Sequence, residues 1–597
     1  MKRFLTIIMS VMLLFSILVM PNYAEGNNEQ NKISEELQMH IDQDEEEIPV
    51  YIWFEDIDLE TINAEAEKAV GYTQEDIQAA EDNIPLFNSD LNESDPDFDE
   101  LFLEYAEQTR TERVAVLEMQ NRLIEVQREL TSEAYEKYNI ENLSRININT
   151  DNVLHLSKFS PVIIAILTTS DIARLQKIPS VIEIGYKNMA TPTALLNNAL
   201  PTVEAKYVRD TLGYDGYNVK IGMYDVGRVK TVSELSSTTI TKLDSGIPEN
   251  SHPTSVAMII AGSNGTAPNA HLYTSSNGST YEQGIEALIN QGVSAINVSV
   301  DFGRADGDYY TDFEKWMDHI ATIHNITMVI AAGNHGTNSV VVNPGLAYNV
   351  ITVGGTNTNG SLTTSDDFLC SYSSAANGGT NGCAKPDVLA PAEYQNMYND
   401  NWQHTNSGGT SLAAPLVTGI IAQMIECRPT IAVKPEVIKA VLTSSTMRKL
   451  PSTSYGTPTE AWADTITAQQ GAGEVNARKA ILILSLGHYA SGTMSSTTVT
   501  KTFSVTSSDL YIRYSVAWLR NNTVGNCSNP NTTVGTAANL KLRLFDSNNT
   551  VLFTSNIPTS SVELAHISID GIYGTYKAKI YRVDSGSNSF RYAVAWR

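Results

Sequence analysis

SGGTSLAAPLVTGIIAQMIEC, Ser407 to Cys427, is the stretch on which the reading of this chain turns. Gly408, Gly409 and Thr410 make a sharp turn, and a long apolar run follows Ser411. Pro415 is expected in the first turn of a helix, where a missing N–H has no partner to lose. The stretch therefore reads as a loop feeding a buried helix, with Ser411 at the positive end. A run of Ala, Leu, Val, Ile and Gly with almost no charge makes that helix a core element. A hydroxyl held there faces aligned N–H groups able to stabilise negative charge developing beside it. Taken alone, the same serine equally fits an N-cap, the commonest role of Ser before a helix.

The sequence upstream separates these readings. From Pro201, short apolar strands (VKIGMYD, AHLYTS, AINVSV, TMVIAA, VITVGG) alternate with helical segments such as HPTSVAMIIAG, STYEQGIEALINQG and TDFEKWMDHIATIHN. This alternation predicts a parallel sheet covered on both faces, whose chemistry gathers at the carboxyl ends of its strands. Asp225 ends VKIGMYD, His252 opens a buried helix, and Asn334 ends TMVIAAGN. Singly, these are a turn aspartate, a capping histidine and a turn asparagine. Together with Ser411 they form a set. A serine hydroxyl needs an imidazole to take its proton, and the imidazole needs a carboxylate to fix its tautomer. The oxyanion then needs donors such as an Asn amide and a backbone N–H.

At this point the residues resemble a known family. DVG at 225–227, HPTSVAMIIAG at 252–262, AAGN at 331–334 and GTSLAAP at 409–415 look like the four signature blocks of the subtilases, in that family's order. Similarity continues through GTAPNAHLY, INVSV, KPDVLAPA and GAGEVNARKA, over roughly residues 200–485. The resemblance implies a subtilisin-like α/β fold, with Asp225 orienting His252, His252 as general base and then acid, and Ser411 as nucleophile. It implies an oxyanion hole from the Asn334 amide and the Ser411 N–H. Ser299, Val300 and Asp301 become the edge along which a substrate backbone pairs. Val342 falls at the back of the primary specificity pocket and implies a shallow pocket for modest apolar side chains. Pro253, Ser255 and Asp301 depart from the usual pattern, and only Asp301 bears on specificity.

The flanks follow from the same reading. Lys2 and Arg3 precede an apolar run to Met20, so residues 1–24 read as a signal peptide and the product as secreted. No second run has membrane-spanning length, so no membrane contact is expected after signal removal. Residues 25–195 hold a βαββαβ pattern interrupted by a long helical stretch, a ferredoxin-like unit. They resemble the family's inhibitory pro-domain, removed by self-cleavage between about residues 188 and 203. Residues 196–486 form the catalytic domain. Residues 487–597, rich in Thr, Ser and Asn with short alternating strands, read as an all-β sandwich.

Charge divides the chain in the same way. Residues 25–200 hold 37 acidic and 12 basic side chains, whereas 201–597 hold 30 and 26, within a total net charge of −27. No basic run appears, so nucleic acid is excluded as a partner; the resemblance implies polypeptide substrates and the chain's own pro-domain as partners, and the product is expected to be a monomer. Cys370 and Cys383 flank a polar loop and form the candidate disulfide, worth on the order of 3 kcal/mol; Cys427 reads as a packed thiol, and Cys527 has no assignment. No spacing matches a metal site and no cofactor is expected; Asp306, Asp308 and Asp312 could hold a structural calcium ion but read better as a solvated turn and helix start. The reading is thus a secreted serine endopeptidase made as a zymogen. The alternative is a non-catalytic subtilase-like scaffold that binds or adheres through its C-terminal sandwich. An α/β-hydrolase esterase lacks its Gly-x-Ser-x-Gly elbow and has the wrong residue order.

Overall fold

The computed structural model describes residues 32–43, 45, 47–87, 97–187, 202–276, 280–303, 310–358, 367–375, 384–446, 450, 466–467, 469–495, 497–506, 511–520, 539–557, 560–569, 573–583 and 589–597. The expected signal peptide, the expected cleavage segment up to residue 201, Asp306, Asp308, Cys383 and Cys527 lie outside these residues. The N-terminal region runs α1 (Glu35–Asp42), β1 (Ile48–Phe54), α2 (Leu59–Val70), α3 (Gln74–Asp82), α4 (Phe98–Gln108), α5 (Arg110–Ile146), β2 (Val153–Leu156), β3 (Val162–Leu167), α6 (Thr169–Leu175) and β4 (Val181–Tyr186). Its sheet has the order β2-β3-β1-β4 with antiparallel neighbours, which the expected βαββαβ connection produces. α1 and α3 add helix that the expected βαββαβ pattern does not include. Ser34 caps α1, and a Thr73–Asp76 capping box starts α3. The long periodic stretch breaks at Thr109, whose hydroxyl donates to the Tyr105 carbonyl at 2.9 Å.

In the central region the order is α7 (Ala205–Asp210), β5 (Lys220–Tyr224), β6 (Arg228–Val229), β7 (Ile240–Lys242), β8 (Glu249–Asn250), α8 (Ser251–Ala261), β9 (His271–Ser275), α9 (Tyr281–Ile289), β10 (Ala295–Val298), α10 (Asp312–Ile323) and β11 (Thr327–Ala331). Then come β12 (Ile351–Asn357), β13 (Phe368–Leu369), β14 (Val388–Pro391), the hairpin β15 (Glu393–Tyr398) and β16 (His404–Gly408), α11 (Thr410–Cys427), α12 (Pro435–Ser445) and α13 (Ala477–Ser485). The main sheet is β13-β12-β11-β10-β5-β9-β7, with β14 on β12; every pair is parallel except β12–β13. β10 and β11 are buried at every residue, as strands covered on both faces must be. α11 is long and apolar enough to cross a membrane, yet all 18 of its residues are buried. Its Leu, Ile, Val and Met side chains each contribute roughly 2 kcal/mol by burial. Gly419 lets it approach the loop after α8, since a Cβ there would lie 2.4 Å from the Thr266 Cβ.

The C-terminal region holds β17 (Tyr489–Met494), β18 (Thr498–Val505), β19 (Tyr511–Trp518), β20 (Leu540–Phe545), β21 (Val551–Ser555), β22 (Val562–Ser568), β23 (Gly574–Arg582) and β24 (Phe590–Trp596). They form two antiparallel sheets, β17-β24-β19-β22 and β18-β23-β20-β21. The alternating segments TVTKTFSV, YIRYSVAWLR, LKLRLFDSN, TVLFTSN, YKAKIYRVD and FRYAVAWR predict six of these strands, and β17 and β22 are missed. In β22 the first five residues are all buried, including Glu563, so the alternation that marks a half-exposed strand is absent. The first sheet packs on α12, and the buried Arg513 donates to the Ala472 carbonyl at 2.6 Å.

From Ile33 onward the three regions form one body. β4 and α9 meet through Lys187, whose ammonium lies 2.8 Å from Glu282 with both side chains buried, and Tyr51 donates to the same carboxylate at 2.5 Å. Burial pushes the Glu282 carboxyl up; Lys187 and Tyr51 outweigh it and hold the group below its ordinary value. Farther off, Arg113 on α5 donates to the Glu426 carbonyl at 3.2 Å, near the C-terminal end of α11, and Glu81 accepts the Thr430 N–H at 2.9 Å. Asp312 opens α10 buried beneath Gly185, where a Cβ would collide with its carboxylate. Of the expected Cys370–Cys383 disulfide, only Cys370 lies among the described residues. Cys370 is a free, buried thiol with its sulfur 3.8 Å from Glu393 Oε1, and burial pushes that thiol up.

Candidate active site

Asp225 follows β5 directly, beside the point where strand order reverses between β9 and β10, and is wholly buried. Its Oδ1 accepts the Val226 N–H at 2.7 Å and the His252 Nδ1–H at 2.6 Å. A carboxylate oxygen accepts, so Nδ1 carries the hydrogen and Nε2 is left to act as base. His252 is the second residue of α8, and Asn250 caps that helix by accepting the His252 N–H at 2.8 Å. The imidazole is 3% exposed. Its Nε2 is buried with no hydrogen-bond partner, so the link to Ser411 is not made in this structure. Such links are often long before substrate arrives and tighten in the complex.

Ser411 is the second residue of α11 and is 5% exposed; Gly409 occupies the cap position, so Ser411 is not an N-cap. Pro415 stands inside the helix rather than in its first turn, four residues beyond Ser411. A helical N–H at 415 would have bonded the Ser411 carbonyl. Ser299 takes that place, donating its hydroxyl to Ser411 O at 2.7 Å. Ser299 in turn accepts from Asn297 Nδ2 at 2.8 Å, and Asn297 Oδ1 accepts from Thr418 at 3.1 Å. A polar chain thereby ties the end of β10 to the first turns of α11.

Asn334 lies just past β11. Its Oδ1 accepts the Thr410 N–H at 2.9 Å and the Thr410 hydroxyl at 3.1 Å, while that hydroxyl accepts the Gly333 N–H at 2.9 Å. Only an oxygen can accept from a backbone N–H, so the orientation of the amide is settled. Its Nδ2 and the Ser411 N–H make no hydrogen bond to the described residues. Gly333, at φ +98°, has room for nothing larger, because a Cβ would stand 2.5 Å from Val342 Cγ1.

The remaining expected residues are placed as follows. Val300 and Val342 are buried, and Val342 donates its N–H to Ala332 O at 3.0 Å. Asp301 accepts the Gly303 N–H at 2.8 Å and lies 2.7 Å from His335 Nε2. The backbone groups of 299–301 make no hydrogen bond to the described residues, which leaves an open edge. Thr410, Asn297, Thr418 and His335 are site residues that the sequence reading missed. Thr410 lies inside the quoted GTS and His335 directly follows AAGN, so adjacency to the motifs was the available signal.

The Peptidase S8 subtilase-family model matches residues 216–507. The chain is similar to serine protease AprX of Bacillus subtilis (strain 168), 31% identical over 172 residues, 26% of this chain and 35% of that protein. The match thus spans about a third of AprX. It is similar to subtilisin DY of Bacillus licheniformis, 30% identical over 255 residues, 39% of this chain and 85% of that protein. Among solved structures, the prenylagaramide maturation protease PagA and the patellamide maturation protease PatA match at 19% and 21% identity. They cover 47% and 45% of this chain and 98% and 97% of their own, with TM-scores of 0.37 and 0.35. A subtilisin matched over most of its length carries the assignment, and the chain belongs to the subtilase family of serine proteases.

Proposed function

We propose that the chain is a secreted serine endopeptidase synthesised as a self-processing precursor, hydrolysing peptide bonds through an acyl-enzyme. The observation that carries this reading is the Asp225–His252 hydrogen bond at the mouth of the sheet, with the Asn334 Nδ2 and Ser411 N–H groups making no hydrogen bond among the described residues. In the mechanism, the substrate backbone pairs along 299–301, and His252 Nε2 takes the Ser411 proton as Oγ attacks the carbonyl. Asp225 stabilises the resulting imidazolium. The Asn334 and Ser411 donors receive the oxyanion, and His252 returns the proton to the leaving amine. Residues 25–195 act as an intramolecular inhibitor. Support comes from the end of β4, because Tyr186 lines one cavity with Phe302 and Asn343, beside that open edge.

A second reading, a non-catalytic scaffold, is equally compatible with the open His252–Ser411 link, which catalytic sites also show before substrate arrives. One experiment separates them. Wild type beside Ser411→Ala should show the wild type shedding a fragment of about 170 residues and labelling with a serine-directed phosphonate, while the variant stays uncleaved. Turnover should fall roughly 10⁶-fold in the variant, a magnitude established for a subtilisin rather than derived from this site. Identical processing of the two proteins would hand the assignment to the scaffold.

A further inference from the structure

Residues 487–597 carry ten Lys and Arg against five Asp and Glu, in a chain whose net charge is −27. The sheet β18-β23-β20-β21 gathers four of these cations on its outer face. Arg543 stands across from Lys579, Lys541 across from Tyr581, and Lys577 across from Phe545. Residues paired across an antiparallel ladder share a face. Leu542, Leu544, Ala578 and Ile580, the alternate positions, are buried in the sandwich. β18 sets exposed Thr498, Thr500 and Thr502 beside Tyr581, Lys579 and Lys577.

None of the four cations has a carboxylate partner among the described residues. Arg543 lies over the Tyr581 ring at 5.6 Å, Lys579 over Phe545 at 4.8 Å, and Lys577 donates to Asn549 Oδ1 at 2.6 Å. Like charges directly opposed destabilise a sheet. Among the described residues, no carboxylate relieves this opposition. An apolar rim adjoins the cations. Val551, 49% exposed, pairs with Phe545; Leu552, 38% exposed, follows it. Tyr573, 47% exposed, precedes Gly574, which packs beside Ser547 just past the end of β20.

Cations flanked by exposed aliphatic and phenolic side chains match the layers of an anionic bilayer. Lys and Arg meet the headgroups, aliphatic groups enter the acyl boundary, and Tyr sits at headgroup depth. A soluble polyanion would engage the cations but give Val551 and Leu552 nothing to enter. We propose that this face docks the protein peripherally on an anionic lipid surface. The inference is independent of the peptidase assignment and departs from the expectation of no membrane contact.

The test is co-sedimentation of the full chain, in the Ser411→Ala background, with vesicles of roughly three parts phosphatidylcholine to one part phosphatidylglycerol. Binding to these vesicles, none to pure phosphatidylcholine, and a decline with added salt are expected. Arg543→Gln/Lys577→Gln/Lys579→Gln should lower partitioning roughly 100-fold. Val551→Ser/Leu552→Ser should abolish the salt-resistant remainder. Tyr573→Trp, which leaves the cations intact, should shift its emission to the blue on mixed vesicles, so a misfolded triple variant does not decide the matter. Equal binding to both vesicle types, an unaffected triple variant with native melting behaviour, or an unshifted Tyr573→Trp emission would overturn the proposal. So would capture by dextran sulfate without capture by vesicles, which assigns the face to a soluble polymer.

Discussion

Pro415 has no N–H to close a helical bond onto the Ser411 carbonyl, and the Ser299 hydroxyl supplies the missing donor. Removing that donor leaves a buried carbonyl unsatisfied. Ser299→Ala should therefore cost about 1–3 kcal/mol of stability. Ser299→Ala/Pro415→Ala should recover most of the loss, because residue 415 regains an N–H for the same oxygen; a double-mutant cycle by chemical denaturation reads this coupling. Asn334→Ala should lower kcat by about 10²–10³ with little change in KM, measured on a chromogenic peptide. That magnitude is the one established for the equivalent amide in subtilisin, and it is borrowed here. The four principal side chains were legible at this scale because each stands at the end of an apolar strand or the start of an apolar helix. Their supports were not. The pairings of Asn297 with Thr418 and of Asp301 with His335 join residues 121 and 34 positions apart. Composition along the chain carries no trace of such contacts.

Helices and strands were legible where one face differs from the other. α8, α9 and α10 and the five main strands of the central sheet appear where the sequence pattern puts them. The hairpin β15–β16, which delivers the chain to Ser411, has a mixed polar sequence and showed no period. α10 also carries a pH signature. Burial holds the Glu314 carboxyl at about 7, against 4.5 for the free group, while it caps the Thr311 N–H at 3.1 Å. Between those two values the folded chain binds more protons than the unfolded one, so stability falls as pH rises through the window. Glu314→Gln keeps an acceptor and removes the ionisation. Its stability advantage should be nil near pH 4, grow up to pH 7 and then level off at on the order of 3 kcal/mol. Unfolding of the Ser411→Ala background at successive pH values checks this.

At the scale of the whole molecule, the sequence divides the chain by charge and texture, but the folded chain is one body from Ile33 to its end. The acidic imbalance did not announce that Glu282 and Lys187 would be buried together, nor that scattered lysines would meet across a sheet. α12 is buried throughout, and part of its cover is the sheet holding β19 and β24. A chain ending at residue 486 should therefore be recovered as aggregate, or be rapidly degraded under limited proteolysis, while the full chain is soluble and resistant. The N-terminal region touches the central one at several distant places, among them Glu282, Lys220, His324, Glu426 and Arg478. On the proposed precursor reading, severing the linker between them would consequently not set the central region loose, since all of these handholds survive a single nick; latency would outlast maturation, and its duration would be governed by how quickly the clasping helices are digested.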